Sequence, residues 1–415
     1  MRQLIVTLIF FIALLLNTPS LFAGVNTFIF NSVTDTTLNP HLDHSDNKDL
    51  IDVFHHLFNN HNHPHATPPS SKTGHYHASV VPVAGYTLQT GFAVDLTGNL
   101  GFYTSEHEQA NLSTITANLA YTQKSQILFP VQTNIWAKGN TYNFSGDWRY
   151  YKYPQYTYGL GGYSTTAQTN LLDYSYIRFY EAALKKVGKD FFLGVGYMLD
   201  YHWNISEKGN EDGTYSDFQK YGFSTQSVSS GVSLNLLFDN RRNSINPDGG
   251  FYANAVLRDN LTLLGSNSSW QSFLVDIRRY VKLNHHNDDV LAFWSYNWFT
   301  FNKAPYLDLP SNGWDTYNNT GRGYVQSRFR GKDMMYLESE YRFNISHNQL
   351  LGGVLFANAE SFTEWGTNRF EKLLPGIGTG IRLQFNKHSR TNIALDYAFG
   401  MNGSGGVFVN LGEVF

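Results

Sequence analysis

The most regular feature of the chain is an alternation of bulky with small or polar residues, clearest over residues 191–205. Successive side chains of a strand point to opposite faces, so this pattern predicts a two-faced strand. Such a strand can turn its bulky face to lipid and its small, polar face to a lumen. A soluble sandwich would bury the bulky face instead, and alternation alone does not separate the two. The bulky set is Phe191, Leu193, Val195, Tyr197, Leu199, Tyr201, Trp203 and Ile205.

Segments with this period recur to the end of the chain and predict about sixteen strands. Short turns alternate with long polar loops, of which residues 302–333 form the longest. An even number of strands with this alternation is typical of a transmembrane antiparallel β-barrel, an all-β fold. We expect the first and last strands to pair and close the ring. The predicted strands cover residues 78–87, 91–103, 111–122, 126–137, 142–150, 171–187, 191–205, 227–238, 251–262, 271–283, 290–301, 334–345, 351–362, 375–385, 391–400 and 405–415.

Composition narrows the class further. Aromatic residues are abundant, with 27 Tyr, 31 Phe and 8 Trp, yet the mean hydropathy is negative. A helical membrane protein would be more apolar, whereas half of each barrel strand faces water. The chain has no cysteine, which excludes disulfides, thiolate metal sites and cysteine nucleophiles. A net charge of −3 implies no nucleic-acid partner, and no motif calls for a cofactor.

The first 75 residues differ from the rest. Residues 1–23 predict a signal peptide, with Arg2, an apolar core over residues 4–16 and a cleavage-like end, although a retained anchor is the alternative. Residues 24–75 form a polar, histidine-rich segment, in which the apolar spacing over residues 49–58 predicts one short helix. Residues 76–415 are the predicted barrel. No other apolar run is long enough for a spanning helix, so if the mature protein lies in a membrane it must be there as a closed barrel.

The histidine-rich segment raises the question of a metal site. Neutral imidazoles bind Zn, Cu or Ni, and His61, His63 and His65 form the densest cluster. Their spacing is irregular, and prolines and asparagines stand where orienting carboxylates would be expected. We therefore favour a solvated spacer over a metal site. The other histidines at this end of the chain are His41, His44, His55, His56, His75 and His77.

A glycine-flanked arginine, Arg322, lies in the longest loop, just before a strand with one charged face. That face carries Tyr336, Glu338, Glu340 and Arg342 and is predicted to line the lumen. A lone guanidinium in a lumen needs carboxylates, and Glu338 and Glu340 are the nearest in sequence. We expect a network in which Arg328 and Arg330 also take part, rather than a cation site.

Two further groups of residues are candidates. Asp239 and Arg241 begin a turn that contains Pro247 and Gly250, and a turn-stabilising ion pair explains them better than a catalytic pair. Gly376, Gly378 and Gly380 share one strand face. They could weaken the barrel wall near the seam between first and last strands, or relieve crowding of inward side chains. The sequence leaves both interpretations open.

At these motifs the chain resembles the barrel of the BamA/TamA superfamily, also called bacterial surface antigens. Arg322-Gly323-Tyr324 resembles the motif of that family's sixth outer loop, and the turn from Asp239 to Gly250 resembles its aspartate-x-arginine turn. Residues 378–382 and 392–396 resemble its penultimate strands. The closing strand ending in Phe415 resembles the signal that the insertion machinery reads.

The resemblance implies that Arg322 enters the lumen and pairs with acidic residues on the next strands. Glu340 fits the first of these positions. The family's second acid is an aspartate on the following strand, where this chain offers only Asn358 or Glu360. Family members that insert proteins carry periplasmic domains before the barrel, and residues 24–75 are too short and polar for one. The resemblance therefore covers the barrel alone.

These features predict a barrel in the outer membrane of a Gram-negative bacterium, acting in outer-membrane protein assembly or translocation. Expected partners are outer-membrane lipid, unfolded outer-membrane proteins and accessory lipoproteins. The alternative is a passive channel or anchor without insertase activity. An enzyme is not expected, because His202 near Asp200 and His388 near Asp396 lack a glycine-flanked nucleophilic serine.

Overall fold

The computed structural model describes residues 47–50, 52–53, 76–87, 90–105, 111–241, 243–283, 289–387 and 390–415. One short helix, α1, spans Asp217–Gly222. The strands are β1 Tyr76–Thr87, β2 Gly91–Phe102, β3 Ser113–Thr122, β4 Ile127–Trp136, β5 Tyr142–Lys152, β6 Gln155–Thr157, β7 Asn170–Gly188, β8 Phe191–Asn210, β9 Gln226–Asp239, β10 Gly250–Asn260, β11 Trp270–Lys282, β12 Val290–Phe301, β13 Asp333–Asn344, β14 Leu351–Phe362, β15 Leu374–Asn386, β16 Thr391–Phe399 and β17 Gly405–Leu411.

The strands form one antiparallel meander in which, apart from β5 and β6, each strand pairs with the next along the chain. β5 and the three-residue β6 both pair with β7, so together they fill one position and the sheet has 16 positions. The predicted number of strands is therefore confirmed. β8 continues to Asn210 and α1 spans Asp217–Gly222, so both occupy part of the segment between the predicted strands 191–205 and 227–238.

The two faces of the sheet differ as the alternation predicted. On β13, Met335 and Leu337 are exposed, whereas Tyr336, Glu338 and Glu340 are buried. A sandwich would bury the bulky set and expose the charged set. The observed arrangement is that of a barrel, whose apolar face looks outward and whose polar face looks inward.

The two ends of the meander meet, but they do not pair. β1 and β17 lie side by side, yet no register of paired residues joins them in the strands that the structure describes. The expectation that first and last strands pair is therefore wrong for this structure. β17 has only seven residues, whereas β1 has twelve, so β17 is too short to pair with β1 along its whole length.

Phe415 is not part of the closing strand, which corrects a second expectation. β17 ends at Leu411, and Gly412, at a φ of 99°, turns the tail inward. The Phe415 ring lies 5.2 Å from that of Trp294 and is 4% exposed. Arg342 donates a hydrogen bond of 2.8 Å to the Phe415 carbonyl oxygen. An aromatic wall and a buried donor thus hold the tail inside the barrel.

Only a small part of the N-terminal segment is described, and it contacts the barrel. Asp49 and Asp52 accept hydrogen bonds from each other's backbone N–H groups, as residues at a helix start do. Lys387, between β15 and β16, donates its backbone N–H to Asp49 and its ammonium to Asp52. The predicted signal peptide, most of the predicted helix and the cluster of His61, His63 and His65 lie outside the described residues. No described helix is long and apolar enough to cross a membrane.

Candidate functional site

The segment between β12 and β13, residues 302–332, folds into the barrel and is called the interior loop below. It is bonded to opposite parts of the wall, from β4, β5 and β9 on one side to the tail after β17 on the other. A segment fixed at both sides of a ring must cross its interior. The bonds run from Gln132 and Arg149 to the Thr316 carbonyl, from Ser229 to Asp308, from Tyr153 to Gln326, and from Asn319 to the Val414 carbonyl.

The guanidinium of Arg322 is the main ionic contact of the interior loop with the β13–β16 wall. It donates to Glu338 and Glu340 from one nitrogen, and to Asp396 at 2.8 Å from another. Its carbon lies 3.5 Å from the centroid of the Phe356 ring. Arg322 is 1% exposed, so these charges meet with almost no water between them. Charge-assisted bonds of this kind are the strong ones in proteins.

Two more arginines complete this cluster. Arg382 donates to Asp396 at 2.5 Å and to Glu413 at 2.8 Å, and Arg342 donates to Glu340 at 2.8 Å. Three guanidinium groups therefore face four carboxylates, all at most 8% exposed on their side chains. We call this set the latch network. Its members are Arg322, Arg342, Arg382, Glu338, Glu340, Asp396 and Glu413.

The expected second acidic partner of Arg322 is corrected by the structure. Asp396 on β16 takes that position, not Asn358 or Glu360 on β14. Asn358 contacts the same residue differently, donating from its amide to the Arg322 carbonyl oxygen at 2.9 Å. Glu360 is fully buried, and neither of its oxygens has a hydrogen-bond partner among the described residues. Asp396 lies on the inward face of β16, a face that the alternation of residues 392–399 already indicated.

The expected network with Arg328 and Arg330 is also corrected. Arg328 donates to the hydroxyl and carbonyl oxygens of Ser164. Arg330 donates to carbonyl oxygens within the interior loop, chiefly that of Tyr306 at 3.0 Å. Both arginines therefore shape the interior loop and its contact with the loop before β7, and neither reaches the latch carboxylates in the described structure.

The two residues after Arg322 fix the interior loop to the ends of β15 and β16. Gly323 has a φ of 106°, and a Cβ there would lie 2.9 Å from the Phe399 carbonyl oxygen. Only glycine allows this close approach of two backbones. The Tyr324 hydroxyl donates to the Pro375 carbonyl at 2.6 Å and accepts from the Met401 N–H at 3.0 Å. Burial raises the pKa of Tyr324, which keeps this hydroxyl a donor.

Replacing Tyr324 with phenylalanine is expected to destabilise the docked loop by about 1 kcal/mol, because two buried partners lose one hydroxyl. The measurement is the temperature at which the folded band disappears in gel-mobility assays. Tyr317→Phe is the matched control in the same loop, since Tyr317 is 58% exposed. Equal melting temperatures for the two variants would show that the Tyr324 hydroxyl does not hold the loop.

The three β15 glycines make room for the latch. A Cβ at Gly376 would lie 2.6 Å from the Arg322 carbonyl oxygen, and one at Gly380 would lie within 2 Å of Asp396. At Gly378 it would overlap the Phe356 ring. These contacts favour the relief of inward crowding over a weakened wall. β15 is also two strands away from the seam.

The turn between β9 and β10 is held by its own ion pair. Arg241 donates to both carboxylate oxygens of Asp239, at 2.9 and 2.8 Å. Its guanidinium lies 4.3 Å from the centroid of the Tyr252 ring. Gly250 has a φ of 103°, and a Cβ on Gly250 would lie 3.0 Å from the Arg241 Cα. Pro247, which lies between these two residues in the sequence, is buried. This geometry is that of a structural turn.

His202, one of the two histidines near acids, faces the lumen beside Ser227 and Asp308. Ser227 Oγ lies 3.5 Å and Asp308 Oδ1 3.7 Å from the same ring nitrogen, Nδ1. A Ser-His-Asp catalytic relay needs its serine and its acid on different ring nitrogens. The observed contacts do not have that arrangement. His388 lies outside the described residues.

No family model matches the sequence, and no curated protein matches it. Several solved structures match the fold of this chain. BamA from Haemophilus ducreyi lacking POTRA domains 1–3 aligns over 80% of this chain and 68% of its own, at 14% identity and a TM-score of 0.52. CdiB from Acinetobacter baumannii aligns over 81% of this chain at 11% identity, and CdiB from Escherichia coli over 80% at 9%, with TM-scores of 0.52 and 0.54.

The barrel has the fold of the BamA and CdiB barrels. The predicted fold class, a transmembrane antiparallel β-barrel of about 16 strands, is thereby confirmed. At identities of 14% and below, the likeness concerns the fold. The chain spans about three fifths of the two CdiB structures, at 60% and 61% of their lengths.

Proposed function

We propose that this protein is an outer-membrane barrel of the BamA/TamA type that acts in outer-membrane protein assembly or translocation. The observation that carries the proposal is the interior loop, which crosses the barrel and is held by the buried Arg322. The same motif carries the resemblance in sequence, and the fold agrees with it. Partners of this function would be outer-membrane lipid, unfolded outer-membrane proteins and accessory lipoproteins.

The docked loop argues against a steadily open pore. A barrel of this strand number is wide enough for water, provided that nothing occupies it. Here Trp314 of the interior loop packs against Tyr153 and Tyr176, and Tyr306 of the same loop packs against Phe218 and Tyr221. A passive channel would need this packing to be absent or lost. The following experiment distinguishes an assembly barrel from a simple anchor.

The protein is reconstituted into liposomes, and two quantities are measured on the same vesicles. Ion leakage is expected to stay at the level of empty liposomes. The rate at which a urea-unfolded eight-stranded outer-membrane barrel inserts and folds is expected to rise above that of empty liposomes. A variant lacking residues 304–331 is the matched control for the loop and should leak ions.

Three outcomes contradict the proposal in different ways. Steady leakage by the wild-type protein identifies a channel. Vesicles that are sealed but do not accelerate folding identify an anchor. A sealed loop-deletion variant would show that the interior loop is not what closes the lumen.

A further inference from the structure

The interior loop buries a carboxyl group, Asp308, that has no guanidinium partner among the described residues. Asp308 is 7% exposed, and its Oδ2 accepts a hydrogen bond of 2.6 Å from Ser229 on β9. The two arginines that approach this region, Arg178 and Arg258, both donate to Asp200 on β8 instead. Asp308 therefore faces a neutral hydroxyl, the imidazole of His202 at 3.7 Å and a neighbouring acid, an environment that disfavours its charged form.

Glu360 is a second buried acid under the same loop. It lies on the inward face of β14, is 0% exposed, and neither oxygen is hydrogen-bonded within the described structure. A Cβ built on Gly321 of the loop would lie 2.9 Å from its Oε2. The loop backbone thus covers this carboxyl group directly. An ionised carboxylate buried without a hydrogen-bond donor or an ion-pair partner is disfavoured, so the covered group is held neutral.

Other titratable and charged groups surround both acids. Around Asp308 they come from β7, β8, β10, α1 and the interior loop itself, and around Glu360 from β13 and the interior loop. The groups near Asp308 are Tyr174, Arg178, Asp200, His202, Tyr221, Arg258 and Arg330, and those near Glu360 are Tyr336, Tyr324 and Arg328. Arg330 is engaged with loop carbonyls and Arg328 with Ser164, so neither neutralises these acids by a direct bond.

We propose that docking of the interior loop inside the barrel is coupled to protons through Asp308 and Glu360. When the loop is docked, both acids are covered and neutral. When it lifts away, water reaches both and each can ionise. The docked state therefore binds more protons than the undocked state, and a rise in pH favours release.

The pH range follows from Asp308. Burial and the charge of Asp200 raise the pKa of Asp308 from 3.8 to about 7 in the docked loop. A raised pKa of the docked state stabilises docking fully below pH 4, and this contribution is lost as the pH rises to about 7. The loop is then held mainly by the ion pairs of Arg322 with Glu338, Glu340 and Asp396.

The test uses two variants, each with one introduced thiol, since the natural chain has no cysteine. Ser311→Cys places it in the interior loop at a position 1% exposed, and Leu263→Cys places a reference thiol at a position 91% exposed. The maleimide labelling rate at 311 is divided by that at 263 at each pH, which removes the intrinsic pH dependence of thiols. From pH 5.5 to 8.5 this ratio is expected to rise about tenfold or more.

The variants Asp308→Asn and Glu360→Gln imitate the neutral acids and keep their shape. Each alone should weaken the pH dependence, and the double variant should keep the ratio low at every pH. Asp212→Asn, an exposed loop acid, is the matched control and should behave as the wild type. A flat ratio in the wild type, or an undiminished rise in the double variant, overturns the proposal. Folding of each variant is checked by gel mobility.

Discussion

Replacing Arg322 with alanine is expected to lower the free energy of unfolding of the barrel by about 3–5 kcal/mol, the cost of breaking a buried ion pair by removing one partner. Arg322 is the only one of the three latch arginines that comes from the interior loop; Arg342 and Arg382 lie on β13 and β15. Without it, four carboxylates share two guanidinium groups in a site almost closed to water. Glu338 then keeps only the Tyr336 hydroxyl as a partner among the described contacts.

The expected readout is a lower temperature for the loss of the folded band in gels, together with less protein in the membrane. Arg279→Ala is the matched control, because Arg279 lies on the outward face of β11 and is exposed. Arg322→Lys should recover only part of the loss, since an ammonium cannot bridge β13 and β16 as a planar fork does. Unchanged gel behaviour and abundance in Arg322→Ala would disprove the latch.

Replacing Gly376 with alanine is expected to displace the interior loop, at a cost of about 1–3 kcal/mol, as for overpacking in a tight core. The added methyl group would lie 2.6 Å from the Arg322 carbonyl oxygen and 2.7 Å from the amide oxygen of Asn358. The first of these atoms is backbone, so the strain cannot be relieved by a side-chain rotation. The loop must move, and the hydrogen bond from Asn358 to Arg322 moves with it.

Gly98→Ala is the matched control for this substitution. Gly98 also lies within a strand, β2, but a Cβ there would meet nothing closer than the Ala117 carbonyl oxygen at 3.7 Å. Melting temperature and ion leakage are measured for both variants. Greater leakage and a lower melting temperature are expected for Gly376→Ala alone. If both variants match the wild type, the β15 glycines do not set the position of the loop.

Much of the wall could be predicted from the sequence, because alternation is a local property. Met335 and Leu337 point outward and Glu338 and Glu340 inward simply because neighbours on a strand face opposite ways. Glu338 and Glu340 also lie close to Arg322 along the chain, which made them natural candidates. Their contacts with its guanidinium needed no knowledge of the curvature of the sheet.

The rest depended on distances that a linear pattern does not contain. Asp396 contacts Arg322 from β16, three strands beyond Glu340. Its position along the barrel axis depends on the registers of the three strand pairs between β13 and β16. Phe415 continues the pattern of β17 in sequence, and only the turn at Gly412 and the ring of Trp294 reveal that it turns inward. The buried acids Asp308, on the interior loop, and Glu360, on β14 beneath it, escaped sequence reasoning for the same reason: their surroundings exist only after the sheet has curled.

The tail after β17 supplies Glu413 to the same cluster that receives Arg322, and Arg382 joins the two. This arrangement sets an order of events during folding. The latch network lacks Glu413 until the last two strands and the tail have folded. Before that point the interior loop cannot make its full set of contacts with the barrel wall. Full docking of the interior loop is therefore expected to come late in folding, after the last strands have been placed.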